Sequence, residues 1–386
     1  MQTKLPSPAE IKDKNIIVRV DFNVPIDEGK IAEKTRIITA VPTLKYLLEN
    51  GAKHVHILSH LGRPEGKYEE KYSLKIVLPD LEKYLNTKIE FRSDLSPGES
   101  QIQLHENIRF YPGEKTNNSD FIQKILKNLK PDIFVNEGFA VSHRAHASII
   151  GLGSFLPSYP GLLLQKEIEA LSPFLKKEKV EGLTIVIGGA KMGTKVPVLK
   201  SFARIADNII VGGALANTFL VAQGYDVAES LYEETAVDTA REILKISEDN
   251  KTGFHMPIDV ICADDANSTE TIDIPVEDVM GNMKIFDMGK NTVSSYKEIL
   301  AHSKIIIWNG PVGLFEKDQF ANGTREVLKN IAATKSAKTI LGGGDTLEAL
   351  NKFGVEASAF SHVSTGGGAM LKFLEGEELP GIEILK

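Results

Sequence analysis

The sequence predicts an α/β protein of two Rossmann-like domains, each a parallel sheet flanked by helices, joined by a hinge helix. Three observations lead there. The 386 residues exceed the size at which a single hydrophobic core usually stops growing, which favours two domains. Short β-branched runs alternate with helical patterns throughout, the order of parallel βαβ units rather than of separate α and β blocks. Hydrophobic residues make up 42% and charged residues 25%, so each half can bury a core of its own.

In the first half the β-branched runs at 16–21, 54–59, 102–106 and 133–136 read as strands. A helical pattern over 34–50 is stopped by Gly51, and a second follows the N-cap candidate Ser73, with Leu74, Val77, Leu78 and Leu81 at helical spacing. The stretch 151–161 packs three glycines and two prolines before a helical run over 162–174. It reads as a hinge region or as a surface loop. The second half resumes the alternation, with strands at 183–187, 208–211, 304–308, 338–341 and 362–364.

A formal charge of −7 argues against a general nucleic-acid or membrane-surface binder, so any basic site must be local. Cys262 is the only cysteine, which removes intrachain disulfides and cysteine zinc clusters. The N-terminus lacks the apolar segment of a secretory signal and no apolar run is long enough to span a bilayer, so a cytoplasmic location is the expectation. Cys262 and Trp308 are expected to pack in the core.

Ligands of parallel α/β sheets gather beyond the carboxyl ends of the strands, and the two halves differ there. Five strand exits in the second half are glycine-rich: 188–191, 212–214, 309–313, 342–345 and 365–368. Glycine lets backbone approach a ligand, and a following helix N-terminus offers free N–H groups to phosphate. A single such turn would only make a bend; five in one half point to a phosphate-bearing ligand. Neither G-x-x-x-x-G-K-[ST] nor G-x-G-x-x-G occurs.

The first half carries arginine at the corresponding places. The chain has nine arginines against 36 lysines, yet Arg36, Arg63, Arg109 and Arg144 lie near strand ends, beside His60, His143 and His146. Guanidinium groups bind carboxylate and phosphate through two parallel hydrogen bonds. Each arginine alone suits a surface ion pair; the set suits a cradle for a small polyanion. The i, i+3 pair His143 and His146 has no carboxylate or cysteine partner in sequence, and Arg144 between them disfavours a cation.

Taken together these segments resemble the phosphoglycerate kinase family from end to end. The resemblance rests on Arg19-Val-Asp-Phe-Asn-Val-Pro25, Thr35-Arg-Ile37, Ser59-His-Leu-Gly-Arg-Pro64, Glu106-Asn-Ile-Arg-Phe110 and His143-Arg-Ala-His-Ala-Ser148 in the first half. In the second it rests on Gly188-Gly-Ala-Lys191, Trp308-Asn-Gly-Pro-Val-Gly-Leu-Phe-Glu316, Gly342-Gly-Gly-Asp-Thr346 and Ser364-Thr-Gly-Gly-Gly-Ala369. It implies an ATP:3-phospho-D-glycerate 1-phosphotransferase working between 1,3-bisphosphoglycerate with ADP and 3-phosphoglycerate with ATP and Mg2+. A cytoplasmic monomer of glycolysis is the form it implies, binding neither nucleic acid nor membrane. The domains it implies are 1–160 for the acid, a connecting hinge at 161–178, 179–375 for the nucleotide, and a C-terminal segment 376–386 returning to the first domain.

Carried over by motif, Asp21, Phe22, Asn23, Arg36, His60, Leu61, Gly62, Arg63, Arg109 and Arg144 are expected to bind the phosphoglycerate. Lys195, Gly213, Glu316, Gly343, Gly344, Asp345 and Thr346 are expected to bind the nucleotide, with Glu316 on the ribose and Asp345 on magnesium. Arg36, Lys191 and the N–H groups of Gly366 and Gly367 are the candidates for stabilising the transferring group. The sequence departs from the usual family pattern at Met192-Gly193-Thr194, at Glu137-Gly138 and over 286–291. The residues by themselves leave the identity of the acid open.

Overall fold

A computed structural model describes residues 4–175 and 178–385. Residues 1–3 of the first expected domain, Lys176 and Lys177 of the expected connecting stretch, and Lys386 lie outside the described residues. The chain forms two compact units, Met1–Leu171 with Gly376–Lys386 and Ser172–Glu375.

The first unit holds β1 (Asn15–Arg19), a ribbon of β2 (Ile26–Asp27) and β3 (Lys30–Ile31), β4 (His54–Leu58), β5 (Glu90–Arg92), β6 (Ile102–His105), β7 (Ile133–Asn136) and β8 (Ser158–Pro160). Six of these form one parallel sheet in the order β5-β6-β4-β1-β7-β8. Its helices are α1 (Pro8–Ile11), α2 (Thr35–Glu49), α3 (Leu78–Leu85), α4 (Ser119–Leu129) and α5 (Leu162–Leu171). Along β1, Ile16 and Val18 join one core with Val55, Ile57 and Val135, while Ile17 joins another with Leu58 and Phe134. A strand covered on both faces must be apolar at consecutive positions, which is why Ile16-Ile17-Val18 is an unbroken run.

The second unit holds β9 (Leu183–Ile187), β10 (Asn208–Val211), β11 (Gly253–His255), β12 (Asp259–Ala263), β13 (Ile272–Pro275), β14 (Lys284–Met288), β15 (Ile305–Asn309), β16 (Lys338–Gly342) and β17 (His362–Ser364). Its main sheet runs β11-β10-β9-β15-β16-β17, all parallel. Beside it, β13-β12-β14 form a small antiparallel sheet. The helices are α6 (Val196–Ile205), α7 (Ala214–Ala222), α8 (Val237–Asp249), α9 (Lys290–Ala301), α10 (Asn322–Ala333), α11 (Gly344–Lys352) and α12 (Gly367–Leu374). The last helix, α13 (Pro380–Glu383), belongs to the first unit. There Asn136 Nδ2 donates to Gly381 O at 2.8 Å and Gly381 N donates to Ser142 O at 2.8 Å.

Strand order fixes where ligands can enter. In the first sheet the chain steps outward from β1 through β4 and then reverses to β7, so the switch point lies between the exits of β1 and β7. In the second it lies between the exits of β9 and β15.

Three readings of the sequence change. The stretch 151–161 contains β8, whose residues are buried and paired to β7, so it is part of the first sheet rather than a bare loop. Ser73 caps a short 3-10 turn (Leu74–Val77), accepting from Lys75 N, and α3 begins only at Leu78 with Pro79 in its first turn. The run over 162–174 is α5 followed by a 3-10 turn (Ser172–Leu175), and the units divide between them. Cys262 and Trp308 are fully buried, as their composition suggests, with Trp308 Nε1 donating to Gly310 O at 2.7 Å.

The first sheet carries a pH-sensitive pair. His105 Nδ1 lies 2.9 Å from Asp94 O, and its Nε2 lies 3.1 Å from His56 Nδ1. A carbonyl only accepts, so His105 is protonated on Nδ1 and His56 donates to its Nε2; both rings are neutral. Burial, then the neighbouring His105 and His54, pushes His56 down to about 3, and burial lowers His105. The unfolded chain binds these protons near pH 6.5, so the stability they permit is complete above that value and is lost as pH falls below it. The slope for His56 alone is about 1.4 kcal/mol per pH unit. Urea unfolding at pH 7 and pH 5 should show the wild type losing more stability than His56→Gln; an equal loss in both would contradict this assignment.

Candidate functional site

In the first unit the β1 exit carries Asp21, Phe22 and Asn23, and the β4 exit carries His60, Leu61, Gly62 and Arg63. The two loops are tied together. Phe22 N donates to Ser59 Oγ at 2.8 Å, Gly62 N to Asn23 Oδ1 at 2.8 Å, and Asn23 N to Asp21 Oδ1 at 3.0 Å. Phe22 and Leu61 are buried and anchor the loops; Arg63 is exposed. From the first turn of α2, Arg36 reaches Asp21 Oδ2 at 2.5 Å. Arg109, in a short 3-10 turn (Ile108–Phe110) after β6, donates to Gly62 O at 2.8 Å, and its Nε is buried without a partner among the described residues. Burial, then Arg19 and Arg144, pushes it down to about 10. Arg144 is exposed after the β7 exit.

These groups make a strongly positive cluster. His60, 2% exposed, is driven well below its ordinary pKa by burial and then by Arg19, Arg109, Arg36 and Arg144. It therefore stands as a neutral ring at neutral pH. Excess cationic charge with an orphaned guanidinium N–H suits an anion better than any neutral ligand.

In the second unit a cavity of about 460 Å³ opens at the switch point, lined by Gly188, Lys191, Lys195, Asn309, Gly343 and Gly367 among others. Backbone crowds it: a Cβ on Gly188 would lie 1.9 Å from Pro311 O, and one on Gly367 would lie 2.6 Å from Gly343 Cα. Two helices begin here, α11 at Gly344 with Gly343 before it and α12 at Gly367 with Gly366 before it, so unpaired N–H groups gather at one place. Lys195 donates to Asn309 Oδ1, and burial pushes it down to about 8 against the opposing pull of Asp345. Thr346 is buried, its hydroxyl accepting from Gly310 N at 2.8 Å. Lys191 is exposed on a loop whose Met192 N and Gly193 N donate to Glu233 at 2.8 and 3.3 Å.

A second cavity of about 630 Å³ shares Gly189, Ala190 and Asp345 with the first. Its walls are apolar at Leu231, Tyr232, Ile285, Phe286 and Leu314, with Gly213 and Glu316 also on the lining. A polar, N–H-rich compartment joined to an apolar one matches a nucleotide's phosphates and base in shape and chemistry. Among the described residues no cluster of three or more His, Cys, Asp or Glu could hold a metal ion. The exposed Asp345, on the first turn of α11 where the cavities meet, fits a cation carried by phosphates rather than a protein cage.

The structure thus gathers Asp21, Asn23, Arg36, His60, Gly62 and Arg109 in the first unit, and Lys191, Lys195, Gly343, Asp345 and Gly367 in the second. Sequence reading placed the 309–313 exit at the ligand without giving Asn309 a role, marked Phe286 only as part of a departure, and missed Leu231 and Tyr232, which carry no signal beyond hydrophobicity. It also missed Arg19 and Glu114, buried behind the arginine set. Of the departures, Glu137 is buried and accepts from Thr43 Oγ1 and Leu163 N, tying down the start of α5; burial pushes it up to about 8. Within 286–291, Phe286 lines the cavity, whereas Asn291 N, like Thr292 N just beyond, is held by Asp259.

Open parallel sheets with an N–H-rich cavity at the switch point of one and a guanidinium set along the strand exits of the other fit a nucleotide-dependent phosphotransferase acting on a small anionic acceptor. The chain belongs to the phosphoglycerate kinase family, whose model matches residues 7–377. Its structure is similar to that of phosphoglycerate kinase from Coxiella burnetii, with a TM-score of 0.87 and 40% identity over 97% of this chain and 96% of that one. It is similar also to phosphoglycerate kinase from Pyrococcus horikoshii OT3, with a TM-score of 0.82 and 32% identity over 97% and 96% of the respective chains.

Proposed function

We infer that the chain transfers a phosphoryl group reversibly between 1,3-bisphosphoglycerate with ADP and 3-phosphoglycerate with ATP, in glycolysis, by in-line transfer after the two units close. One observation carries the assignment of substrates to units: the buried arginine and histidine donors lie in the first, the N–H-rich cavity in the second. The acid's anionic groups go to Arg36, His60, Arg63, Arg109 and Arg144, and its polar atoms to Asp21 and Asn23. The nucleotide's phosphates go to Lys195, Asn309 and the turn 343–346, its base to the apolar compartment, and its ribose to Glu316.

The acceptor is a carboxylate, ionised at neutral pH, so no general base is needed. Positioning and charge neutralisation suffice for a metaphosphate-like transferring group. Arg36, Lys191 and the N–H groups of Gly366 and Gly367 supply the donors. Mg2+ bound with the nucleotide would neutralise phosphate charge next to Asp345. Closure keeps water from the transferring group. A monomer in the cytoplasm is the working form we propose. No helix among the described residues is long and apolar enough to cross a membrane.

A coupled assay with 3-phosphoglycerate, ATP and magnesium, run beside acetate and carbamate, tests the reading. Turnover with 3-phosphoglycerate alone supports it; its absence, or preference for another acid, overturns it. Asp345→Asn should raise the magnesium concentration needed for half-maximal rate about tenfold while the KM for 3-phosphoglycerate stays put. An unchanged magnesium requirement would remove Asp345 from that role.

A further inference from the structure

Behind the arginine set of the first unit lies a buried chain of hydrogen bonds. Arg19, the last residue of β1, is fully buried. Its Nε donates to Ser148 Oγ at 2.8 Å, its Nη1 to Val20 O, and its Nη2 lies 3.2 Å from His60 Nδ1. Ser148 in turn donates from Oγ to Glu114 Oε1 at 2.6 Å and from N to Glu114 Oε2 at 2.9 Å. Glu114 is itself fully buried, with His146 Nδ1 3.6 Å away. Burial raises its pKa, but His146, Arg19 and Ser148 together hold the carboxyl below its ordinary value, so it stands as the counter-charge to Arg19.

The geometry settles the state of His60. A guanidinium has donors and no acceptor, so the Arg19–His60 contact forms only if Nδ1 of the ring is bare. The proton must then sit on Nε2, which has no hydrogen-bond partner among the described residues. Asp21 Oδ1 is 3.7 Å from Nδ1, too far to compete for a proton there while Arg19 occupies it. The other charged groups acting on the ring are Arg36, Arg109 and Arg144, all of which oppose a cationic imidazole.

We propose that Arg19 is a positioning residue: held from behind by Ser148 and Glu114, it fixes His60 as the neutral tautomer that offers Nε2–H to the phosphoglycerate. This rests on the acid site proposed above. In a site already crowded with guanidinium groups, a neutral donor binds an oxygen of the ligand without adding repulsion, and its contribution does not vary through neutral pH. A bare ring nitrogen aimed at the same oxygen would repel it. Which nitrogen of a histidine carries the proton is set by what the other one meets, and here Arg19 sets it.

Long-range proton–nitrogen correlation NMR on the full chain with 15N-labelled histidine, without ligand at pH 7, reads the tautomer directly; the His60 signals are those lost in His60→Gln. The expected result is a protonated Nε2 and a bare Nδ1. Arg19→Met should let the ring protonate or change tautomer and should raise the KM for 3-phosphoglycerate about tenfold, more at pH 8 than at pH 6, with kcat changed far less. Arg19→Lys, still a donor only, should restore the tautomer and most of the affinity. Ser148→Ala, a smaller change, should show the same effects in weaker form if Arg19→Met does not fold. A proton on Nδ1 or a cationic ring in the wild type overturns the proposal. So does a correct tautomer with an unmoved KM in the Arg19 and Ser148 variants while His60→Gln raises it. An unmoved KM in His60→Gln as well removes His60 from the acid site, and the failure then lies in the site reading.

Discussion

Replacing Lys191 with alanine is expected to lower turnover about 100- to 1,000-fold while changing the nucleotide Kd less than about threefold. The two lysines of the 188–195 loop are placed differently, and the difference decides their roles. Lys195 is half-buried and already donates to Asn309 Oδ1 in the cavity lining, which fits a group that holds phosphate in the ground state. Lys191 is exposed, and the backbone just after it is pinned by Glu233, so the loop is fixed while the side chain is free to follow the transferring group. Lys195→Met should therefore weaken nucleotide binding, and Lys191→Ala should not. Single-turnover kinetics beside equilibrium titration separates the two. A matching loss of affinity and rate in Lys191→Ala would show that its interaction is uniform and not confined to the transition state.

The second large effect is expected from one methyl group. Gly188→Ala places a Cβ 1.9 Å from the carbonyl oxygen of Pro311 and 2.9 Å from that of Gly310, and backbone, unlike a flexible side chain, cannot swing away. The β9 and β15 exits must separate, which widens the cradle between them. We expect a loss of stability of about 1–3 kcal/mol or more and a nucleotide affinity reduced beyond about 100-fold. Calorimetry without ligand and titration with ADP measure both. Gly344→Ala is the comparison for stability, because a Cβ there meets no protein atom within 4 Å, although the residue lines the same cavity. An equal loss of stability in the two variants would show that backbone flexibility, and not close backbone approach, is what the 188 turn requires.

Much of the second unit could be read directly from residue order. β9 and β10 fall on β-branched runs, and the glycine exits that follow line the two joined cavities. The parts that could not be read follow from physics that local sequence does not encode. β8 contains Pro160, and proline in a strand is tolerated only where a ladder bond is dispensable; β8 is an edge strand, so the rule that demotes it in sequence permits it in the fold. The sheet β12–β14 shifts register between Ile261 and Cys262, which breaks the alternation that would have revealed it. Leu231, Tyr232 and Phe286 form the apolar compartment from separate segments, and only tertiary packing brings them together. Arg19 was legible as part of a motif, but its burial and its hold on His60 depend on Ser148 and Glu114, distant in sequence.

The two-way crossing of the chain between the units has a consequence for biosynthesis. The second unit is, in topological terms, an insertion: the chain leaves the first unit at Leu171 and re-enters it at Gly376. Asn136 donates to Gly381 O, and Ser142 O accepts from Gly381 N, so the exit of β7 stays incomplete until residue 381 has left the ribosome. The unit that is begun first is therefore finished after the other, and the second unit can complete its own sheet while the first still waits for residues 376–385. Chains stopped near residue 375 should retain nucleotide binding and protease resistance in the second unit while the first is cut.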